Sequence, residues 1–127
     1  MKLFLKSDGF SLIEVLIAII ILSISLLALA SLMATTTRNT SFGGHLTEAA
    51  TFAQDQLERL RTFSWGDPNL SNGAHNNTIT GSSGIPYDRN WTVVTNGNIK
   101  TVTITLNWTD QIAHSFSIIS AISNPTQ

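Results

Sequence analysis

The sequence contains no cysteine, which excludes disulfides and thiolate metal sites. Charge is scarce as well. Asp, Glu, Lys and Arg make up 12% of the chain, about half the usual ~25%. Seven Lys+Arg stand against eight Asp+Glu, giving a formal charge of −1. No block of like charge occurs, so neither a nucleic-acid patch nor a polyacidic tail is expected. No Gly-rich phosphate loop follows a predicted strand. The histidines His45, His75 and His114 are far apart and fall in three different predicted elements. Their spacing assembles no metal site and no catalytic constellation, so the reading is non-enzymatic, with no cofactor. Several Asn-x-Ser/Thr triplets occur, but an Asn- and Thr-rich chain produces these by chance, and no glycosylation is assigned.

The missing charge is concentrated in one place. Residues 15–34 read VLIAIIILSISLLALASLMA and carry none. Twenty helical residues span ~30 Å, the thickness of a bilayer's hydrocarbon core. Ser23, Ser25 and Ser31 interrupt the run, but a serine hydroxyl can bond back to the helix carbonyls. A buried core helix is one alternative, although the segment has no polar face and is long for so small a chain. A secretory signal peptide is another. The run exceeds the ~7–15 residues of an ordinary apolar region, and LASLMATTT offers no clean small-residue cut. A plain membrane anchor is the third. Lys2 and Lys6 would stay in the cytoplasm by the positive-inside rule, and everything after Thr35 would lie outside.

None of these explains Glu14, which sits at the mouth of the apolar run in GFSLIEVL. At the membrane edge its cost is small, and near a helix N-terminus it gains from the dipole. The cost becomes serious when the helix packs against other helices, where a carboxylate needs a cationic partner.

The stretch DGFSLIEVLIAIIIL resembles the N-terminal signature of type IV pilins and type II secretion pseudopilins. In that family a short basic leader ends in glycine. An inner-membrane prepilin peptidase cuts after it and methylates the new amino terminus. The resemblance implies a leader of residues 1–9, a cut between Gly9 and Phe10, and N-methylation of Phe10. Asp8 departs from the basic residue that the family commonly places before the glycine. Glu14 becomes the fifth mature residue, the position the family fills with glutamate. That gives it a role: the Phe10 amine of an incoming subunit can meet Glu14 of the subunit already in place. The implied partners are the peptidase, other subunits met through the N-terminal helix, and the inner membrane before assembly.

The segment AATFAQDQLERLR and the later TVTITLNWTD narrow the likeness. They resemble the minor pilin PilV and its secretion counterpart GspI. Major pilins often carry Pro or Gly inside the membrane helix and a C-terminal disulfide, and this chain has neither. The implied role is a minor subunit that primes a fibre or is incorporated into it. The alternative is an anchored, adhesin-like binding module that never polymerises.

Beyond the span, the pattern predicts an α+β region. TTTRNTSFGG, residues 35–44, predicts a bend or loosening, because β-branched threonines and two glycines weaken a helix. Leu46, Ala50, Ala53, Leu57 and Leu60 then recur at helical spacing and predict one narrow apolar face. Residues 64–87, dense in Gly, Asn, Ser and Pro, predict a long loop. WTVV, a turn at TNGN and IKTVTITLNW predict a hairpin, with Val102, Ile104, Leu106 and Trp108 on one face. AHSFSIISAI predicts a further strand, and Asp88 and Asp110 are expected in turns. The expected organisation is a leader (1–9), a membrane and assembly helix (10–37), and an extracytoplasmic domain (38–127). The expected fold is a long N-terminal helix, transmembrane in its first half, packed on a small antiparallel sheet.

Overall fold

A computed structural model describes residues 9–124. Helix α1 covers Leu12–Thr62, and four strands follow: β1 (Gly73–Thr80), β2 (Pro86–Asn96), β3 (Ile99–Thr109) and β4 (Ala113–Ser123). The fold is α+β, as expected. The chain divides into two compact units between Ser41 and Phe42.

In the first unit the helix is apolar all round and nothing covers it. The apolar window near the N-terminus is long enough to cross a membrane, and none of it is buried. Leu12 and Leu27 are 85% and 72% exposed, which rejects the core-helix alternative. The polar interruptions satisfy themselves. Ser23 Oγ donates to the Ile19 carbonyl at 2.7 Å and Ser25 Oγ to that of Ile21 at 2.8 Å. Such a segment presents almost only hydrocarbon to its surroundings.

The loosening expected over residues 35–44 is not observed, and helix is continuous through Gly43 and Gly44. Thr35, Thr36, Thr37 and Thr40 each fold the hydroxyl back onto the carbonyl four residues earlier, at 3.0–3.1 Å. The threonines thereby hide their polar atoms without unwinding the backbone. The boundary between the two units does fall inside this segment.

In the second unit, residues 42–62 of α1 lie on an antiparallel sheet of order β1-β2-β3-β4. The helix buries Ala49, Ala53, Gln56 and Leu60, with Leu46, Phe52 and Leu57 half-buried beside them. The expected stripe is therefore right in kind but rotated: Ala49, not Ala50, sits at its centre, and Leu57 is at its flank. Small alanines let the backbone approach the large residues opposite. Those are Tyr87, Trp91 and Val93 from β2 and Val102, Ile104, Leu106 and Trp108 from β3. The β3 residues alternate with exposed or half-exposed Thr101, Thr103, Thr105 and Asn107, the period-2 pattern of a strand with one buried face.

The β2–β3 hairpin closes with Asn96 opposite Ile99, leaving Gly97 and Asn98 as the two-residue turn. Gly97 has φ +59°, as the first central position of a type II′ turn requires. The strand expected from AHSFSIISAI is β4, which pairs with β3 from Ile99↔Ser123 to Thr109↔Ala113.

The long loop expected over residues 64–87 is corrected. Strand β1 occupies Gly73–Thr80 and pairs with β2 from Gly73↔Val93 to Thr80↔Pro86. Asparagine and glycine disfavour strands, and here the cross-strand partners decide. Asp88 is likewise not a turn residue: it lies within β2, opposite Thr78 and Asn107.

The segment before β1 is also ordered. Asp67 accepts from the Asn69 backbone N–H at 2.8 Å and caps a short 3-10 turn at Pro68–Leu70. Two core side chains reach this segment. Trp91 Nε1 donates to the Asn69 carbonyl at 3.0 Å. Lys100 Nζ donates to the carbonyls of Trp65 and Leu70 at 2.6 and 2.7 Å, 4.6 Å from the centre of the Trp65 ring.

Candidate assembly site

Gly9 and Phe10 precede the helix, and Phe10 is 83% exposed. The carbonyl of Ser11 accepts the backbone N–H groups of Glu14 and Val15 at 3.0 and 3.2 Å, closing the first turn. Glu14 follows Phe10 by four residues, and both line one groove. Among the described residues, no side chain pairs with the Glu14 carboxylate. With Val15, Ala18, Ile19 and Leu22, Phe10 and Glu14 line a shallow groove of about 430 Å³. Ala18 forms its floor by being small, one turn past Glu14. Sequence reasoning passed over Ala18, although an alanine four residues after the only acid in an Ile- and Leu-rich run was the available signal. Val15, Ile19 and Leu22 are 46%, 57% and 58% exposed, so the groove's walls are apolar and uncovered.

A carboxylate in an apolar, uncovered groove at the head of an apolar helix suits pairing with a cation while hydrocarbon packs around it. Residues 5–30 match the family described as the prokaryotic N-terminal methylation motif. The chain carries a type IV pilin-like leader motif. No curated protein and no solved structure matches the chain. The methylation motif covers Gly9, Phe10, Glu14 and the first part of the exposed helix, and supports a type IV pilin- or pseudopilin-like protein anchored in a membrane. The expected leader, apart from Gly9, lies outside the described residues.

The other candidate residues do not converge. His45 is on α1, His75 on β1 and His114 on β4. Among the described residues no three of His, Cys, Asp and Glu come together as a metal site. His75 stacks on Trp91 with ring centres 5.3 Å apart, and its Nε2 lies 2.9 Å from the Ser71 carbonyl. His114 lies between Phe42 and Trp108, at 4.8 and 5.3 Å, with Nε2 3.1 Å from Asp110. Asp110 is in a turn, as expected. The Gln111 backbone N–H, helped by that of Ile112 and by His114, holds its carboxyl below the usual range.

Sequence reasoning missed two polar clusters. Glu48, placed off the apolar stripe, ties the helix to the β1–β2 turn. Its Oε1 accepts from the Ser82 N–H at 2.6 Å, and its Oε2 from the Tyr87 hydroxyl at 2.9 Å. His45 Nδ1 is 3.0 Å from that hydroxyl. Since the single Tyr87 proton goes to Glu48, His45 Nδ1 is the donor in this pair. The Ser82 N–H lowers the pKa of Glu48. Burial, then Glu48, raises that of Tyr87. The second cluster surrounds Arg89, 5% exposed on the inner face of β2. Its Nε donates to Asn77 at 2.9 Å, and one terminal nitrogen reaches the Phe52 carbonyl at 3.4 Å and Asp55 at 3.9 Å. Burial pulls the guanidinium below its ordinary value, and Asp55 acts in the opposite direction. Both clusters join sequence-distant elements, so their partners cannot be read from local spacing.

Proposed function

We propose that this chain is a minor pilin or pseudopilin, of the PilV or GspI kind. In this reading it is a non-catalytic subunit that primes a type IV pilus-like fibre or is incorporated into it. Residues 1–9 are the leader, residues 10–37 the membrane and assembly helix, and residues 38–127 the domain outside the cytoplasm. Prepilin peptidase cuts after Gly9 and methylates Phe10. The subunit then waits in the inner membrane as a single-pass protein before it enters a pilus or pseudopilus.

The observation that carries the reading is Glu14. It lies one turn from Phe10, at the head of an uncovered apolar helix within the methylation motif, without a partner among the described residues. Cleavage makes Phe10 an amine. In a fibre the amine of one subunit pairs with Glu14 of its neighbour, which compensates the buried carboxylate and fixes the axial step. Leaving such a charge buried and unpaired costs ~3–5 kcal/mol. A plain anchor needs neither the cut nor the carboxylate.

The test is Glu14→Ala in a strain lacking the native copy. Membrane insertion and cleavage should persist, since losing a charge at the edge of the span eases insertion. Intact-mass analysis should show a chain beginning at methylated Phe10. Incorporation into sheared fibres should fail. Wild-type incorporation at equal membrane levels would overturn the charge-pair account and favour the anchored binding module.

A further inference from the structure

Proteins normally guard the edges of a sheet with charged residues, proline, bulges or very short strands. This sheet reverses the pattern. Its charged residues, Asp88, Arg89 and Lys100, are all on the central strands β2 and β3. The edge strands GAHNNTIT and AHSFSIISAIS contain no Asp, Glu, Lys, Arg or proline. Strand β4 runs for 11 residues, paired one-to-one with β3 and without a bulge. Among the described residues, no other strand pairs with either edge. The inner face is also unfinished on the β4 side. Val102, Ile104 and Leu106 of β3 are fully buried, while Phe116, Ile118 and Ile122 of β4 are only half-buried. On its outer face Ile119 is 72% exposed.

We propose that β4 is a docking edge for the β1 edge of a second copy of this chain held in the same orientation. The strand count supports this occupant. In a four-stranded meander of order β1-β2-β3-β4, every neighbour is antiparallel, so β1 and β4 run in opposite directions. A copy of unchanged orientation therefore presents β1 antiparallel to β4, and the ladder continues across the interface. Neither edge strand contributes an Asp, Glu, Lys or Arg of its own, so no like charges oppose each other strand to strand. The charge at β4 is Arg61 of α1, which donates to Ser120 on the inner face at 3.2 Å and is already partnered.

Self-pairing of two β4 strands is the competing geometry. It requires a two-fold axis perpendicular to the sheet, which reverses the helix lying on that sheet. The Phe42 ends of the two helices, where the apolar segments join, would then face opposite ways. Two copies whose sheet units both follow an anchored segment at their Phe42 end meet like that only with one sheet unit inverted, and at this point the inference rests on the proposed membrane-anchored subunit. The β4–β1 contact is heterologous and can repeat from copy to copy.

The absence of native cysteine makes the test direct. The full chain in its native membrane is given one cysteine on each edge, drawn from the outward-facing positions Asn76 and Thr78 of β1 and Ser115 and Ser117 of β4. Opposed strand residues place their Cβ atoms ~4.5–5.5 Å apart, closest in non-hydrogen-bonded pairs, next to the ~3.5–4.5 Å a disulfide needs. Mild oxidation of a matching pair, such as Thr78→Cys with Ser117→Cys, should yield a ladder of cross-linked oligomers. Each single variant alone should remain monomeric, and co-expressed β1 and β4 single variants should give a dimer. Ile119→Lys, added to the Thr78→Cys and Ser117→Cys pair, puts a charge at a 72% exposed outward-facing site of β4 and should abolish cross-linking while leaving the melting temperature unchanged. A dimer from a β4 single variant alone, no cross-link in any pairing, or cross-linking indifferent to the added lysine would each overturn the proposal. Glu14→Ala serves as the separating control. If its incorporation fails as expected but no cross-link forms, the edge proposal alone is wrong. If it is incorporated like wild type, the fibre-subunit reading is the one that fails.

Discussion

Lys100→Met sets two physical effects against each other. The Lys100 ammonium is on the inner face of β3, in a residue only 6% exposed, and is held by the carbonyls of Trp65 and Leu70. Removing the charge relieves a desolvation cost that can reach several kcal/mol per buried ion. It also removes two charge-assisted hydrogen bonds, each contributing ~1.5–3 kcal/mol, and strands their acceptors. The contact with the Trp65 ring adds ~0.5–2 kcal/mol. Methionine is close to the lysine stem in length, so the cavity term is small. What decides the sign is the fate of the two carbonyls. Trp65 is half-buried and its carbonyl can turn to water, whereas Leu70 is 1% exposed and its carbonyl is left inside. An unsatisfied buried carbonyl costs ~1–3 kcal/mol. The expected net loss is therefore ~2 kcal/mol. With a urea m-value of ~1–3 kcal/mol per M, the unfolding midpoint should fall by about 0.7–2 M. The assay is urea unfolding of the full chain in phosphocholine micelles, followed by tryptophan fluorescence. Hydrogen exchange should also rise first over residues 65–72, the segment that Lys100 ties down. A midpoint shift equivalent to less than ~0.5 kcal/mol, the range of ordinary surface substitutions, would show that the ammonium is not a structural clamp.

Leu60→Ala should destabilise the domain by ~2–5 kcal/mol, because Leu60 is fully buried; Leu57→Ala, at the half-buried flank, should cost less in the same melts. Gly81→Ala should cost ~1–3 kcal/mol by overpacking, since an added Cβ would lie 2.7 Å from the buried Tyr87 ring and against the Glu48 carboxylate. Glu48→Gln should flatten the acid limb of the stability profile. The Glu48 pKa is lowered in the folded state from 4.5, so its contribution is present above that value and lost as pH falls through the folded one; melting temperatures measured downward from pH 6 would show the difference. The alkaline limb should respond to Tyr87→Phe. The Tyr87 pKa is raised from 10.0, so its contribution is present below pH 10 and fades above it; the variant's melting temperature should vary less above pH 10 than the wild type's.

The parts of the fold legible in the sequence were those with strong periodicity. The uncharged run over residues 15–34, the alternation from Val102 to Trp108 and the Asn96-Gly97 turn signal each point to one local structure. The groove residues Phe10 and Glu14 were legible because a motif places them; Ala18 was passed over, because its only signal is its spacing of four residues from Glu14. Strand β1 was missed because Gly73, Asn76 and Asn77 favour a loop, and the strand exists through its pairing with β2. The helix face was misplaced by one residue because Gln56 is buried while Leu57 is not, an exchange that hydrophobicity alone cannot foresee. Residues 35–44 stayed helical against their propensities because each threonine found its own carbonyl. Arg89 and Lys100 drew no reading from the sequence, because their partners lie 12 to 37 residues away.

The order of the sheet has a kinetic consequence. Each strand pairs with the strand that follows it, across connections as short as Gly97-Asn98. Loop closure is therefore cheap at every step, and pairing proceeds locally, the condition under which domains fold fast. A chain delivered from its N-terminus could lay down β2 on β1, β3 on β2 and β4 on β3 as each segment emerged, with no strand waiting for a distant partner. A chain halted after Thr109 would leave Val102, Ile104 and Leu106 on an unpaired edge. Completion of β4 is thus the step that separates a finished domain from an aggregation-prone one.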